Sequence, residues 1–175
     1  MTIEQVIDDV FRKEGDRYAE PPEIDQPTGA GGIILPTLSE YLGRPATLAE
    51  LKALAVDTAR PIVRWKLSQL ANRAGLDRIT FEPLRLQAID MAYNSGEGLA
   101  IRWLQRVLRV ARSSKMDAPT IAALTNADQW LVNQALIGAR LQMIDMSTNP
   151  GGSVDKKFEE GLENRALTFS LLEVP

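Results

Sequence analysis

The stretch from Glu14 to Thr28 carries the residue types and spacing best suited to chemistry. It reads Glu14-Gly15-Asp16-Arg17-Tyr18-Ala19-Glu20-Pro21-Pro22-Glu23-Ile24-Asp25-Gln26-Pro27-Thr28. Upstream, Ile3, Val6, Ile7, Val10 and Phe11 recur at helical spacing. Gly15 is a stop signal just past the last turn. Glu14 therefore closes an apolar helix, fixed on one side and open on the other. Asp16, Glu20, Glu23 and Asp25 follow on a segment whose prolines and glycines forbid a helix. A fixed acid facing a carboxylate-rich loop suits acid/base work on a polar substrate. The same residues also read as a solvated loop around a helix C-terminus.

The rest of the chain narrows the chemistry. Its 175 residues make one domain, or one with a small appendage, and such a length buries about 70% of the unfolded surface without staples. There is no cysteine and no histidine. Disulfides, thiolate chemistry, imidazole metal sites and histidine-based catalysis are excluded. What remains is carboxylates, Lys, Tyr, Ser and Thr. The N-terminal MTIEQVIDDVFRKEG is amphipathic and acidic, without the apolar core of a signal peptide. No apolar run reaches membrane-spanning length. The expectation is synthesis in the cytoplasm and no membrane insertion. Net charge is −3, yet Arg102, Arg106, Arg109, Arg112 and Lys115 stand in a run from Gly98 to Met116 that holds no acid. Nucleic-acid binders are strongly basic overall. This chain is not, so a local basic face is expected and no nucleic-acid partner.

The elements that must position these residues are helices. Helix one is predicted over Thr2 to Glu14. Residues 15–36 form a loop or small hairpin lobe with four prolines. Thr37 with Glu40, and Thr47 with Glu50, have capping-box spacing and predict two short helices. Asp57 is the expected cap of a helix running to about Arg73. Glu82 to Asn94 is apolar on most sides, the mark of a domain's buried centre. Glu97 to Arg112 is amphipathic, with Trp103 and Leu104 on one face and the arginines on the other. Asp117 opens a helix toward Leu124, Ala127 to Met146 is long, and Ser153 or Val154 to Leu171 is the last. That is about nine helices without period-2 alternation, a mainly α protein.

Other motifs have plainer readings. Gly29-Ala30-Gly31-Gly32 lacks the Lys-Ser/Thr of a phosphate loop and reads as a flexible or close-packed turn. Trp103 and Trp130 fall at apolar helical positions and read as core, while Trp65 is flanked by Arg64 and Lys66. Asp90 and Asn94 lie one turn apart on the otherwise apolar helix. A buried polar pair needs partners, so they either tie neighbouring elements together or line a cleft.

Three separated stretches resemble the N-acetylmuramidases of glycoside hydrolase family 108, with their C-terminal predicted peptidoglycan-binding region. Glu14-Gly15 is similar to that family's Glu-Gly-Gly-Tyr, with its downstream acid and threonine matched by Glu23 and Thr28. Gly32-Ile33, then Thr37-Leu38, Gly43-Arg44-Pro45-Ala46-Thr47 and Leu51-Lys52-Ala53-Leu54, resemble the Gly-Ile-Thr segment and the helices after it. Asp90-Met91-Ala92-Tyr93-Asn94-Ser95-Gly96, then Ala100 and Trp103-Leu104-Gln105, resemble the family's Asp-x-Ala-x-Asn-x-Gly helix and its successor. Pro119-Thr120 and Phe158-x-x-Gly161-Leu162-x-Asn164-Arg165 echo the closing segments. There are departures. Asp16 and Arg17 replace a Gly and a Tyr, with Tyr18 one place late. A one-residue insertion makes Asp25 a rival to Glu23. Val63, Leu67 and Ser68 stand where the family carries aromatics.

The resemblance implies a lysozyme-like, mainly α fold with a lobe at residues 15–36. Residues 1–95 would be the catalytic region and 96–175 a helical peptidoglycan-binding region packed against it. It implies hydrolysis of the β-1,4 bond between N-acetylmuramic acid and N-acetylglucosamine in glycan strands, in phage lysis or bacterial secretion, after holin-like or dedicated release; the helices leave no obvious apolar stripe over, so a monomer or weak associate is expected. Glu14 would be the general acid, helped toward the protonated form by desolvation. Glu23 or Asp25 would stabilise the transition state or activate water, and Thr28 would position that water. Tyr18 and Asn94 would bind the sugar, Asn94 through the acetamido group, and Asp90 would orient the loop. No metal or cofactor is implied. The alternative is a non-catalytic wall-binding protein of the same fold.

Overall fold

The computed structural model describes residues 2–20, 26–148 and 155–170. Among them stand nine α-helices and no strand, a mainly α fold. The chain divides into two compact units, one from Thr2 to Gln69 and one from Leu70 onward.

The first unit begins with α1 (Ile3–Glu14). Thr2 closes its start: Gln5 N donates to Thr2 Oγ1 at 3.3 Å, and Thr2 N donates to Gln5 Oε1 at 2.7 Å. Val6, Ile7, Val10 and Phe11 are buried, each worth about 1.5–3 kcal/mol relative to exposure. Glu4 and Asp8, flanking this buried stripe, are tied to α4 (Val56–Ala74). Arg60 meets Glu4 at 2.8 Å and Asp8 at 2.7 Å, and Arg64 also pairs with Glu4.

Two expected caps differ from what is found. α2 spans Leu35–Leu42 and its N-cap is Ile34, not Thr37. Pro36, lacking an N–H, fits the first turn, so the helix opens three residues early. Ser39 then donates to the Leu35 carbonyl at 2.8 Å and accepts from Ala46 N at 2.9 Å. Asp57 is likewise inside α4 rather than capping it. Thr58 instead reaches back, its Oγ1 accepting from Ala55 N at 3.1 Å. The Thr47 capping box of α3 (Leu48–Lys52) is present as expected. Arg44 adds a 2.5 Å ion pair to Glu50. That guanidinium, with the Thr47 bonds, holds the Glu50 carboxyl down at about 2, so this cap keeps its charge well into acid.

The second unit is built around α5 (Glu82–Ser95). It packs against α6 (Glu97–Leu108) and α8 (Gln129–Thr148), and α8 packs against α9 (Glu159–Leu167). From Leu86 to Ala92 every residue of α5 is buried, as its near-continuous apolar surface demands. Asp117 caps α7 (Ala118–Asn126), accepting from Thr120 N at 3.1 Å. α6 ends at Leu108 rather than Arg112. Arg109 turns left-handed at φ 57°, and Val110 N donates back to the Gln105 carbonyl at 3.1 Å, a Schellman-type stop. Arg112 and Lys115 therefore lie off the helix. Trp103 and Trp130 are half-buried, not core. The Arg106 guanidinium lies 4.7 Å from the Trp103 ring centre, so that ring is shared with the surface. The closing helix starts later than expected, after a 3-10 turn at Lys156–Phe158; Ser153, Val154 and Leu171 lie outside the described residues.

Asp90 is wholly buried. Its Oδ1 accepts from Arg165 Nε at 3.0 Å and Asn94 Nδ2 at 3.1 Å. Arg140 Nη2 lies 2.6 Å from Oδ2, at an angle that makes it an ion pair without a formal hydrogen bond. Removing one member of a buried ion cluster leaves uncompensated charge and costs about 3–5 kcal/mol. Asp90→Ala is expected to lose that much in urea or thermal unfolding. A change under about 1 kcal/mol, the size of an exposed pair, would show that the cluster does not hold α5, α8 and α9 together.

Candidate functional site

Glu14 is the last residue of α1. Gly15 follows at φ 92° and donates its N–H to the Phe11 carbonyl at 2.9 Å. The chain then returns over the helix end. Thr28 and Ala19 exchange backbone bonds at 2.8 and 3.0 Å, and Gly31 N donates to the Gly15 carbonyl at 2.9 Å. These isolated antiparallel bridges, Ala19 with Thr28 and Gly29 with Ile33, are what the expected hairpin lobe amounts to among the described residues.

The glycine run is packed tightly against this end of α1. A Cβ on Gly31 would stand 2.9 Å from Val63 Cγ2 and 3.0 Å from Phe11 Cε1. A Cβ on Gly32 would stand 3.0 Å from both Cγ and Oε2 of Glu14. So bare backbone covers the Glu14 side chain where any other residue would displace it. The close-packed reading of this run is the one that fits.

The electrostatics around Glu14 are cationic. Lys13 Nζ lies 4.0 Å from Glu14 Oε1, at the surface. Lys66, on α4, is half-buried. Burial pushes its ammonium down, and the Glu14 carboxylate opposes that shift. Glu14 keeps 34% of its side-chain surface exposed, so the desolvation expected of a general acid is partial. Lys66 was legible in sequence only as a flank of Trp65. Its signal is that it interrupts the stripe Ile62, Val63, Leu67, Leu70, all buried.

Tyr18 is half-buried, with the Lys52 ammonium 5.0 Å from its ring centre. Its hydroxyl is buried without a hydrogen-bond partner among the described residues. Thr28 is half-buried and is held by its backbone bonds to Ala19. Glu14, Tyr18 and Thr28 thus belong to the first unit and to one short segment. Glu23 and Asp25 lie outside the described residues. Asp90 and Asn94 belong to the second unit. Asp90 is spent on Arg140 and Arg165, and Asn94 also donates to the Asp90 carbonyl at 2.7 Å, leaving part of the Asn94 side chain at the surface. Arg165, named in sequence only as the end of the closing motif, and Arg140, not named at all, are the residues that fix this pair. Nothing local could reveal a contact 75 positions away.

The chain matches no protein-family model and no curated protein. It is similar along nearly its whole length to the solved structure of Brucella abortus SagA. The two are 27% identical, the match covers 96% of this chain and 95% of that one, and the TM-score is 0.58. No helix among the described residues is long and apolar enough to cross a membrane.

Gly32 and Gly43 offer a controlled comparison, since both sit at φ 66° but nothing lies within 4 Å of a Cβ on Gly43. Alanine at either position meets left-handed strain of about 1–2 kcal/mol. Gly32→Ala alone must also move Glu14. Both variants are expected to lose similar stability by denaturant titration, while only Gly32→Ala displaces the Glu14 carboxylate, read by its side-chain NMR resonances. Equal Glu14 signals in both variants would show that Gly32 does not position it.

Proposed function

We propose that this protein is a peptidoglycan hydrolase of the muramidase type, with Glu14 as general acid. The observation that carries the reading is Glu14 itself: a carboxylate fixed at the capped end of an apolar helix and covered on one side by glycine backbone. The sequence resemblance to the muramidases supports the same assignment, and the full-length likeness to SagA supports a related fold. Glu14 delivers a proton to the oxygen between N-acetylmuramic acid and N-acetylglucosamine as that bond breaks. Glu23 or Asp25 steadies the oxocarbenium-like sugar or activates the water that completes hydrolysis, and Thr28 orients that water. Tyr18 contacts the sugar, Asn94 bonds its acetamido group, and Asp90 acts through Asn94 as a positioning residue. Residues 1–95 carry the hydrolase function and 96–175 hold the wall. The protein works as a monomer without a cofactor and reaches the cell wall by a holin-like or dedicated release, in phage lysis or bacterial secretion.

A second reading, a non-catalytic wall-binding protein, is favoured by one observation. Lys66 and Lys13 both face Glu14, and a nearby cation opposes the protonation that an acid needs. Glu14→Gln separates the two. It keeps size and shape but delivers no proton, and loss of general acid catalysis costs about a hundredfold to ten-thousandfold in rate. Muropeptide release from purified walls should collapse while the melting temperature stays at the wild-type value. Wild-type protein that binds walls and releases nothing would establish the second reading.

The basic face gives an independent measurement. Arg102 and Arg109 are exposed and form no ion pair among the described residues, and Arg106 lies over Trp103 and donates to Gln142 at 3.3 Å. Attraction from such a surface to an anionic wall is screened over roughly 8 Å at physiological ionic strength. Changing Arg102, Arg106 and Arg109 to Gln is expected to weaken wall binding at low salt and leave it unchanged at high salt, in pull-down across a salt series. Identical binding at every salt would make the stripe a solvated face only.

A further inference from the structure

The second unit holds a cleft of about 410 Å³. Its walls are the end of α4 from Asn72 to Ala74 with Gly75 just past it, the start of α6 at Glu97, Gly98 and Ile101, and the turn from Ser114 to Met116. Ala74 and Ile101 give it a buried apolar floor. Its rim is charged. Arg73 Nε donates to Glu97 Oε1 at 2.9 Å, so the one acid is answered. Lys115 is exposed and makes no ion pair among the described residues. Two cations against one acid leave the rim with excess positive charge.

The turn that presents Lys115 is rigid. Gln105 is wholly buried and clamps it from beneath: its Nε2 donates to Ser113 Oγ at 2.9 Å and to the Lys115 carbonyl at 2.8 Å, and its Oε1 accepts from Ser114 N at 3.1 Å. Ser113 Oγ also donates to Asp117 at 2.6 Å. Ser114 is thereby held at φ 63°, a conformation that persists in a non-glycine residue only when its surroundings impose it. A cation carried on such a turn loses little freedom on binding. Gly98 keeps the opposite wall bare. It lies inside α6, where glycine weakens a helix. A Cβ there would stand 3.5 Å from Ser114 Cβ, an ordinary contact. A side chain at 98 therefore fits the fold and occupies the cleft.

We propose that this cleft binds a short acidic peptide with small side chains, its carboxylate at Lys115 and Arg73 and its methyl groups on Ala74 and Ile101. Resting on the peptidoglycan reading above, that ligand is the stem peptide carried by the glycan strand. The site is separate from Glu14 and adds grip on the substrate rather than chemistry.

The test titrates the full-length protein with two probes. One is the free stem tetrapeptide Ala-γ-Glu-diaminopimelate-Ala, and the other is chitotetraose, a glycan without peptide. The peptide is expected to shift the backbone NMR signals of Gly98, Ser114 and Lys115, and chitotetraose to leave them in place. Lys115→Gln and Gly98→Leu should each weaken peptide binding by roughly threefold or more, the scale of one partly exposed charge contact, without altering chitotetraose binding. Gly98→Leu should melt no lower than wild type; if it melts lower, Lys115→Gln alone decides. Peptide shifts that map elsewhere, or unchanged affinity in Lys115→Gln, would overturn the proposal. Its failure is distinguishable from failure of the hydrolase reading. Peptide bound here by a protein that digests no wall leaves the cleft and removes the hydrolase, and wall digestion with no peptide at this cleft does the reverse.

Discussion

A carboxylate with no exposed surface has to be answered by charge, and Asp90 is answered twice. Arg140 comes from α8 and Arg165 from α9, so one anion draws together three helices far apart in sequence. This is the constraint on which the second unit depends. α5 is buried from Leu86 to Ala92, and a helix so buried can carry an acid there only if its neighbours arrive with cations at the right height. The cluster is not fully satisfied. Among the described residues, Arg140 Nη1 and both amide atoms of Gln87 find no hydrogen-bond partner, and unsatisfied buried polar groups are costly. Replacing such clusters by apolar residues is often neutral or stabilising. What Asp90 contributes is the relative setting of α5, α8 and α9, and with it the fixed position of Asn94 one turn away.

What could be read from sequence follows from the range of the interactions involved. α1 was legible because everything that defines it is local: the Thr2–Gln5 box, the apolar spacing from Ile3 to Phe11, and Gly15. The Asp117 cap and the glycine breaks at 15, 43, 75 and 96 are local in the same sense. The misplaced features depend on more distant groups. α6 stops at Leu108 because Gln105 is committed to the 113–115 turn, and no periodicity from Trp103 to Ala111 encodes that. α2 starts early because a proline is acceptable in a first turn, which outweighs the Thr37–Glu40 spacing. In the site, Glu14 and the glycine run were visible as types and order. That bare backbone lies against the Glu14 carboxylate was not, because it needs the return of the chain over α1. Lys66 was hidden by its 52-residue separation from Glu14.

Glu14 and Lys66 also frame the two functional readings physically. Lys66 is a compact cation on a flexible stem, and burial weighs directly against its charged form. Its ammonium is held against that penalty partly by the Glu14 carboxylate. A glycan strand lying over Glu14 would remove water from Lys66 as well and deepen the desolvation of its ammonium. A lysine that gives up its charge no longer opposes a proton on its neighbour. The cation that argues for a wall-binding protein when water is present thus argues less against an acid once water is excluded. A site built this way would be weakest as an acid toward small soluble glycosides, which leave Lys66 wet, and strongest toward a polymer long enough to cover both residues.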